Sequence, residues 1–483
     1  MKSRHPKGWA NVPLGDVAIW GSGGTPSRKN REYYTGEIPW VKTGDLGPKL
    51  LTSASEFITE EAVRSSSAKY FPKGSVAIAM YGATIGKTSI LGIDATTNQA
   101  CAVGQPIPEC TSTEFLYYLL RNEKDNFIAK GKGGAQPNIS QTLIKDHSVL
   151  FPPLAEQKQI AAKLDELLAQ LDTLKTRLDA IPVILKRFRQ SVLAAAVSGR
   201  LTEEWRAETQ EYGKLLSKPG KTTCTDLEDI FNSTKTHDIP DQWKWFRLAE
   251  LGSITGGGTP KKSQDEFWRG DIPWVTPKDM KIQKISSSQL KITKLGLAKS
   301  STKLIRKSSI LFVVRGMILA HSFPVALTEA EVTINQDMKA ISLNDGVLSD
   351  FLLRALEAKR SIFVQLAGSS THGTKRLETR KYSNVAIPVG SVEEQTEIVR
   401  RVEQLFTFVD QIEQRVKAAQ SRVNHLTQSI LAKAFRGELT TEWREQNPDL
   451  ISGENSAEAL LQRIKIERTK VKPVKPARRS ANA

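Results

Sequence analysis

Paired cysteines and long apolar runs are missing from this chain of 483 residues. Its three cysteines, Cys101, Cys110 and Cys224, are too scattered for a disulfide framework or a structural zinc site, both of which need paired spacings. No run of eighteen apolar residues occurs, and no apolar segment follows the basic N-terminus. We therefore expect a cytoplasmic protein with reduced thiols, no secretion signal and no membrane span.

Catalytic motifs are also missing. The six histidines are dispersed without an H-x-x-x-H spacing, so we expect no metal site. The chain has no glycine-rich dinucleotide loop that opens a helix, and no N-P-P-aromatic or D-P-P-aromatic tetrapeptide that could hold an extruded adenine. It also lacks a clustered acidic nuclease triad. We expect no catalytic residue here and no cofactor bound by this chain.

The segment GATIGKT at residues 82–88 resembles a nucleotide-binding P-loop. A phosphate-cradling loop needs four residues between the first glycine and Gly-Lys, and this segment has three. The pattern instead predicts a tight hairpin after a strand, in which Gly82 and Gly86 supply the turn geometry.

Positive charge is abundant and unevenly distributed. The formal net charge is +17, which indicates a polyanionic partner such as DNA. Residues 261–307 contain twelve basic and four acidic residues inside a segment that looks folded, so they are the better candidate for a binding face. The C-terminal tail has eight basic residues and one acidic residue between 463 and 479, and its Lys-Pro alternation predicts disorder.

The chain is an internal duplication. Trp9, GGTP at residues 23–26 and GEIPWV at 36–41 return 234 residues later as Trp243, GGTP and GDIPWV. Further on the offset becomes 238, and QSVLAAAVSGRLTEEWR at 190–206 matches QSILAKAFRGELTTEWR at 428–444 in eleven of seventeen positions. The ends of each repeat match and the middles diverge. This pattern indicates a duplicated scaffold that carries two different globular heads.

Two long helices are predicted from apolar residues that alternate in steps of four and three, the spacing of a coiled-coil seam. The predicted seam residues are Ile160, Leu164, Leu167, Leu171, Leu174 and Leu178 in the first helix and Ile398, Val402, Leu405, Val409, Ile412 and Val416 in the second. We expect the helices to pack antiparallel, with the heads at opposite ends, and Pro182 to kink the first helix. Glu156 and Glu394 fall in the first turns, where a helix favours negative charge.

The expected fold class is α+β, with two mixed α/β heads separated by the two long helices and related by a pseudo-two-fold duplication. Apolar runs at 74–80 and 308–314 predict strands, and 115–120 and 351–356 predict helices. The predicted domains are head 1 (1–150), the first helical segment (151–207), a linker (208–238), head 2 (239–386), the second helical segment (387–445) and a basic, disordered tail (446–483).

Candidate DNA contacts lie in matching places of the two heads. Two glycine-bearing polar loops, at 131–140 and 368–376, combine flexible backbone with groups suited to phosphates and base edges. Their candidate residues are Lys132, Gln136, Asn138 and Ser140 in head 1 and Ser370, Thr371, His372, Lys375 and Arg376 in head 2. The hairpins add Lys87 and Arg315. Crowded lysines expected to contact phosphates are Lys261, Lys262, Lys278, Lys281 and Lys284.

The chain resembles the specificity subunits of type I restriction-modification systems, especially the enteric class. The resemblance rests on PPLAEQKQIAAKLDELLAQLD at residue 152, ILKRFRQSVLAAAVSGRLTEEWR at 184, EEQTEIVRRVEQLF at 393 and LTQSILAKAFRGELTTEWR at 426. It is strong over 151–207 and 387–445 and architectural over the heads. A family pattern, Arg-Ser-Gly-Thr-Ile-Gly-Lys, is split here: Tyr81 replaces its arginine in head 1, and head 2 keeps only Arg315-Gly316.

The resemblance implies that each head is a target-recognition domain for one half of an asymmetric, bipartite site in double-stranded DNA. It also implies two methyltransferase subunits on the helical scaffold and two ATP-driven restriction subunits, with S-adenosylmethionine, ATP and magnesium bound by those partners. Two alternatives stay open at this point. One is a DNA methyltransferase with its own recognition domains, and the other is a purely structural coiled-coil scaffold.

Overall fold

The structure is a computed structural model that describes residues 5–131, 138–209, 228–369 and 374–470. The chain divides into two compact units. Unit 1 comprises residues 1–179 and 418–483, and unit 2 comprises residues 180–417. Each unit therefore contains one head together with one half of each long helix.

Head 1 is built on two sheets and a strand pair. The five-stranded sheet has the order Ala18–Ser22, Cys101–Pro106, Val76–Ala79, Thr88–Leu91, Leu50–Leu51, and the four-stranded sheet has the order Glu56–Ile58, Ile38–Val41, Ala95–Thr97, Tyr70–Phe71. Ala10–Pro13 pairs antiparallel with Ser148–Phe151. The helices are Leu14–Val17, Glu60–Arg64, Thr113–Asn122, Lys124–Lys130 and Gln141–Asp146.

Head 2 repeats this arrangement. Its five-stranded sheet has the order Gly252–Gly256, Met338–Leu343, Ile310–Val313, Val325–Thr328, Lys284–Ile285, and its three-stranded sheet has the order Leu290–Ile292, Trp268–Val275, Thr333–Ile334. The strand pair is Lys244–Arg247 with Ala386–Val389. The helices of this region are Glu228–Ser233, Lys294–Ala298, Ser349–Ala358, Arg360–Leu366 and Thr379–Ser383. The strands and helices predicted in the middle of each head are confirmed.

The repeated GGTP and IPWV motifs have a structural role. The buried Trp40 indole donates to the Gly24 carbonyl oxygen at 3.0 Å, and in head 2 Trp274 donates to Gly258 at 2.9 Å. A Cβ atom on Gly24 would lie 2.3 Å from Ser67, too close for any side chain. The motifs therefore fix one turn against one strand in both heads.

The scaffold consists of two 44-residue helices, Leu154–Val197 and Val392–Phe435. In unit 1 the N-terminal half of the first helix shares a core with the C-terminal half of the second, through Leu164, Leu171 and Val423. In unit 2 the C-terminal half of the first helix packs with the N-terminal half of the second, through Val192 and Ile398. The predicted antiparallel coiled coil and the α+β fold class are thus confirmed.

The predicted seam needs one correction. On the second helix Ile398, Val402, Val409 and Val416 are buried as predicted, and Leu405 and Ile412 are partly buried. On the first helix Leu174 is 48% exposed, so its assignment to the seam is wrong. Leu168 is buried where the adjacent Leu167 was predicted. Every seventh residue after Leu164 stays buried or partly buried, at Leu171, Leu178, Leu185 and Val192, so the buried stripe keeps its seven-residue period and the error is confined to the intervening position. The helix continues through Pro182.

A buried carboxylate joins head and scaffold in unit 2. Glu394, in the first turn of the second helix, is fully buried. It accepts hydrogen bonds from the Trp243 indole at 2.7 Å and the Thr202 hydroxyl at 2.7 Å, and it forms an ion pair with Arg206. A buried charge is tolerated when it is paired and hydrogen-bonded, as here.

The same junction occurs in unit 1. Glu156 accepts from the Trp9 indole at 2.8 Å and the Thr440 hydroxyl at 2.7 Å, and Arg444 pairs with it at 2.9 Å. In each unit, the LTxEWR motif after one long helix holds the first turn of the other. We call these two carboxylate clusters the junctions. The sequence placed both glutamates correctly in first turns, but it did not reveal their partners.

The prediction of a disordered tail is wrong for the part that the structure describes. Ala457–Lys470 is a helix, and Ala457, Leu460 and Ile464 are buried, the last two in the core of head 1. Ala457 also donates its backbone N–H to the Gly8 carbonyl at 3.3 Å. Burial of the apolar face offsets the local charge, which composition alone did not show. Residues 471–483 lie outside the described residues.

Part of the predicted linker packs on head 2. The Thr234 hydroxyl accepts from the Ala386 backbone N–H at 2.9 Å, and the Lys359 ammonium donates to the Thr234 carbonyl at 2.8 Å. Burial lowers the pKa of Lys359 to about 8. Among the described residues, no helix is long and apolar enough to cross a membrane.

Candidate nucleic-acid interface

Head 2 contains a small basic hairpin. Gly368–Ser369 pairs antiparallel with Lys375–Arg376, and Arg315 forms a further antiparallel bridge with Arg376. The Gly316 backbone N–H donates to the Lys375 carbonyl at 3.0 Å. Three predicted contact residues are thus brought onto adjacent backbone segments, which concentrates positive charge where a phosphate could bind. The predicted residues Ser370, Thr371 and His372 lie outside the described residues.

Head 1 has the same framework with different side chains. The Ile139 N–H donates to the Met80 carbonyl at 2.9 Å, as Leu377 donates to Val314 at 2.8 Å in head 2. The positions of Arg315 and Arg376 are taken in head 1 by Tyr81 and Asn138, both exposed. The cationic pair of head 2 is therefore a neutral aromatic and amide pair in head 1.

The other predicted residues of head 1 have different surroundings. The Ser140 hydroxyl oxygen accepts from the Leu143 backbone N–H at 3.0 Å and caps the helix Gln141–Asp146, so this side chain has a structural role. Lys87 is exposed after a tight turn. Lys132 and Gln136 lie outside the described residues.

The five predicted phosphate-contacting lysines of head 2 are all exposed. They are Lys261, Lys262, Lys278, Lys281 and Lys284. Within the described part of the chain, none of their ammonium groups is in an ion pair with a carboxylate. Unpaired, solvated ammonium groups are available to replace the counterions of a DNA backbone.

Head 1 lacks this charge at the same positions. An offset of 234 places Ser27, Arg28, Gly44, Gly47 and Leu50 where head 2 has the five lysines. The one cation among them, Arg28, is paired with Glu56 at 2.7 Å. Arg28 and then Lys42 hold the pKa of Glu56 below its ordinary value. This set of exposed, unpaired lysines is therefore a property of head 2.

A matched polar pair was not predicted as a contact. The Thr25 hydroxyl donates to the exposed Gln99 side chain in head 1, and Thr259 donates to Gln336 in head 2. Each pair joins the GGTP turn to the Asn-Gln dipeptide that both halves share. The repeat contained the signal, because the same exposed glutamine stands in two otherwise divergent heads. An oriented amide can read base edges or phosphates.

The resemblance to a P-loop is resolved by the surrounding strands. Val76–Ala79 and Thr88–Leu91 pair antiparallel, and the intervening turn places Gly82 at φ 69° and Gly86 at φ 75°. A P-loop leads into a helix, so the predicted hairpin is confirmed and nucleotide binding of that type is not supported. No group of three or more metal-ligating side chains occurs among residues 5–131, 138–209, 228–369 and 374–470.

Both halves of the chain match one protein family. The family is described as the type I restriction modification DNA specificity domain, and the matches cover residues 6–183 and 240–419. The chain belongs to the type I specificity-subunit family. The two matched segments correspond to the two sequence repeats, each with its head and the first part of its scaffold helix.

Named specificity subunits are similar along most of the chain. The EcoKI specificity subunit of Escherichia coli strain K12 is 32% identical, with 96% of each chain covered. The StySPI specificity subunit of Salmonella potsdam is 32% identical over 99% of this chain and all of that one. The EcoDI specificity subunit of Escherichia coli is 36% identical over 75% of this chain and 78% of its own. The enteric resemblance is confirmed.

Solved structures share the fold of this specificity subunit. A chain from a study of assembly and conformational transition of the type I R-M system has a TM-score of 0.67 and 20% identity, covering 90% of this chain and 99% of that one. The HsdS subunit from Thermoanaerobacter tengcongensis has a TM-score of 0.56 and 19% identity, with the same coverage. Family membership favours DNA specificity over the alternatives of a self-contained methyltransferase or a structural scaffold.

Proposed function

We propose that each head reads one half of an asymmetric, bipartite DNA site, while the scaffold sets the unread spacer between the halves. The observation that carries this proposal is the pair of heads with one internal framework and different exposed side chains. Tyr81 and Asn138 in head 1 stand where Arg315 and Arg376 stand in head 2. Different exposed donors and acceptors on one framework select different bases.

Contacts to DNA divide into two classes in this proposal. The five lysines of head 2 contact phosphates, because they are exposed and unpaired within the described residues. The basic hairpin, the hairpin residue Lys87 and the glutamines Gln99 and Gln336 lie on exposed turns that can approach a groove. The loop residues Lys132, Gln136, Ser370, Thr371 and His372 stay in the proposal as predicted contacts.

The scaffold is proposed to bind two methyltransferase subunits, and two restriction subunits join the complex. Large apolar side chains remain exposed on the scaffold of each unit, which suits helical partners. They are Leu174 and Leu426 in unit 1 and Val183, Ile184, Phe188 and Phe408 in unit 2. S-adenosylmethionine, ATP and magnesium belong to those partners in this proposal, and the chain directs their reactions without catalysing one. A cytoplasmic location follows from the same proposal.

Co-expression with a methyltransferase subunit tests this function. We expect the chain to co-purify with that subunit and the complex to methylate adenines at one bipartite sequence, which sequencing of modified bases would show. The chain purified alone should transfer no methyl group. The proposal would be contradicted by methylation by the lone chain, or by a complex that binds a random duplex as tightly as the mapped target.

A further inference from the structure

The two heads differ at one site, which we call the corner. It is formed by Arg28, Tyr34, Trp40 and Glu56 in head 1 and by the residues 234 positions later in head 2. The corner is filled by a side chain in head 1 and is open in head 2. In head 1 the Arg28 guanidinium lies 4.2 Å from the Tyr34 ring centre and 5.0 Å from that of Trp40. Glu56 fixes it there through the ion pair of 2.7 Å. A cation over two aromatic rings, held by a carboxylate, closes this corner from within the chain.

Head 2 keeps the aromatic rings but not the cation and its anchor. Trp268 and Trp274 occupy the places of Tyr34 and Trp40, with ring centres 5.1 Å apart at 84°. Lys262 replaces Arg28, and Leu290, which is 50% exposed, replaces Glu56. A cavity of about 610 Å³ is found here, lined by Trp268 and Leu290 among others.

The charge around this cavity selects an anion. Its lining includes Lys262, Arg269 and Lys291 against the single carboxylate Asp265. A guanidinium at position 262 would meet two other positive charges here, Arg269 and Lys291, and no counterpart of Glu56. An aromatic ring that carries an adjoining anionic group fits both features, since it can stack on an indole while its charge meets the cations.

Backbone strain supports a role for Arg269. This residue has φ 63° beside an irregularity in the strand Trp268–Val275, whereas its head 1 counterpart Thr35 has φ −107°. A left-handed conformation is unfavourable for a residue with a β-carbon, and such strain concentrates at functional sites. Arg269 also lines the cavity, so the strained residue and the open corner coincide.

We propose that the corner formed by Trp268, Leu290, Lys262, Arg269 and Lys291 binds a nucleotide, with the base against Trp268 and the phosphate at the cations. The inference rests on the proposed function, because it assigns a DNA contact to head 2 that head 1 does not have. The nucleotide can belong to an unpaired stretch of a DNA strand or be free in solution. The chemistry of recognition is the same for both sources.

The test uses the full-length chain and three probes. They are a single-stranded oligothymidylate, thymidine 5′-monophosphate and an abasic deoxyribose-phosphate strand of the same length. The double variant K262R/L290E places the guanidinium and carboxylate of head 1 into head 2 and should close the corner. We expect the affinity for the oligothymidylate to fall about tenfold, the loss of one stacked base. If the double variant also loses affinity for the monophosphate, the corner binds free nucleotides as well as a strand. If the double variant loses affinity only for the oligothymidylate, the corner binds nucleotides of a DNA strand.

Two further variants separate binding from folding. Arg269→Gly removes the cation and suits the left-handed backbone, so it should weaken binding while the thermal stability stays equal or rises. The matched control R28K/E56L opens head 1, where Thr35 and Phe57 stand in place of Arg269 and Lys291, and should leave binding unchanged.

Unchanged binding in both head 2 variants would overturn the inference. So would an abasic strand that binds the unaltered chain as tightly as the oligothymidylate. The preference of the methyltransferase complex for its mapped target over a random duplex is measured separately. If the complex shows no preference for its mapped target, the proposed function is contradicted. If the complex keeps that preference and the head 2 variants bind the probes as the unaltered chain does, only the nucleotide corner is contradicted.

Discussion

Glu156 and Glu394 accept hydrogen bonds from the same three residue types, although 238 residues separate them in the chain. The exposed faces of the two heads show the opposite relation, since Leu50 stands where Lys284 stands and Tyr81 stands where Arg315 stands. Buried contacts between head and scaffold are kept, whereas the exposed cations of head 2 have no cationic counterpart in head 1 at these positions. This division allows a head to change its DNA contacts without disturbing the scaffold that carries it.

The largest expected effect follows from breaking a junction. Glu394→Ala removes the buried carboxylate that pairs with Arg206, and it takes an acceptor from the Trp243 indole and from the Thr202 hydroxyl. Removing one partner of a buried ion pair costs about 3–5 kcal/mol. We expect the free energy of unfolding of unit 2 to fall by that amount in a urea titration followed by tryptophan fluorescence.

Glu156→Ala should destabilise unit 1 by a similar amount, because its junction has the same partners. Glu393→Ala is the control, since Glu393 is an exposed neighbour in the same helical turn. A junction variant as stable as this control would show that the carboxylate does not hold head and scaffold together.

Lengthening the scaffold should move the two recognised half-sites apart. Gln420 donates to Asp179 at 2.7 Å, so a heptad inserted after Asp179 and another inserted after Ala419 start opposite each other. Seven residues add about 10 Å of helix, which corresponds to about three base pairs of DNA. We expect modified-base sequencing to show a longer spacer between unchanged half-sites. The same spacer in an active variant would show that these helices do not set the distance.

The added base pairs also rotate one half-site relative to the other by about 100°. We therefore expect the longer protein to recognise the longer spacer and to bind its site more weakly than the unaltered protein binds its own. Inserting the heptad in one helix alone is the control, and it should abolish methylation because it shifts one half of the coiled coil against its partner.

Exchanging one charge between the heads gives a smaller effect. Lys284 and Leu50 each begin a short strand that pairs parallel with its neighbour. Lys284→Leu should make the plot of log affinity against log salt concentration shallower by about 1, and Leu50→Lys should make it steeper by about 1. The recognised sequence should stay the same in both variants. A changed target sequence would show that Lys284 reads bases.

The smallest effect concerns acid stability of the second scaffold helix. Arg400 and then Arg401 hold the pKa of Glu397 at about 2, below its ordinary value of 4.5. Because the folded pKa is the lower one, the stabilisation is complete above about pH 4.5 and is lost as the pH falls toward 2. Glu397→Gln should flatten that part of the stability curve of unit 2. The first helix already has Gln159 at this position, so unit 1 is the internal comparison.

Periodic and repeated features of this chain could be predicted, because residue spacings and repeat offsets can be read directly from the sequence. The spacing from Ile398 to Val416 predicted the buried stripe of the second helix, and the two offsets predicted matching heads. Tail composition was misleading because the Lys-Pro alternation describes only its last residues. A helical spacing was available at Ala457, Leu460 and Ile464, and it would have indicated a buried face.

Contacts between distant segments could not be predicted in this way. Trp9 and Arg444 meet at Glu156 from opposite ends of the chain, and neither local pattern specifies that meeting. The closed corner of head 1 and the open corner of head 2 also depend on contacts between segments that are distant in the sequence. The sequence shows that Leu290 stands where head 1 has Glu56, but only the structure shows that aromatic residues lie beside both positions.

The most direct test of the two-head account is to replace residues 1–150 with the corresponding head of another specificity subunit. The junction residue Glu156 and the whole scaffold stay in place. Co-expressed with the methyltransferase, this chimera should methylate a site in which one half has changed and the other half and the spacer have not. Modified-base sequencing of genomic DNA measures all three at once. A change in both halves would contradict the account, because it would show that the heads read DNA jointly.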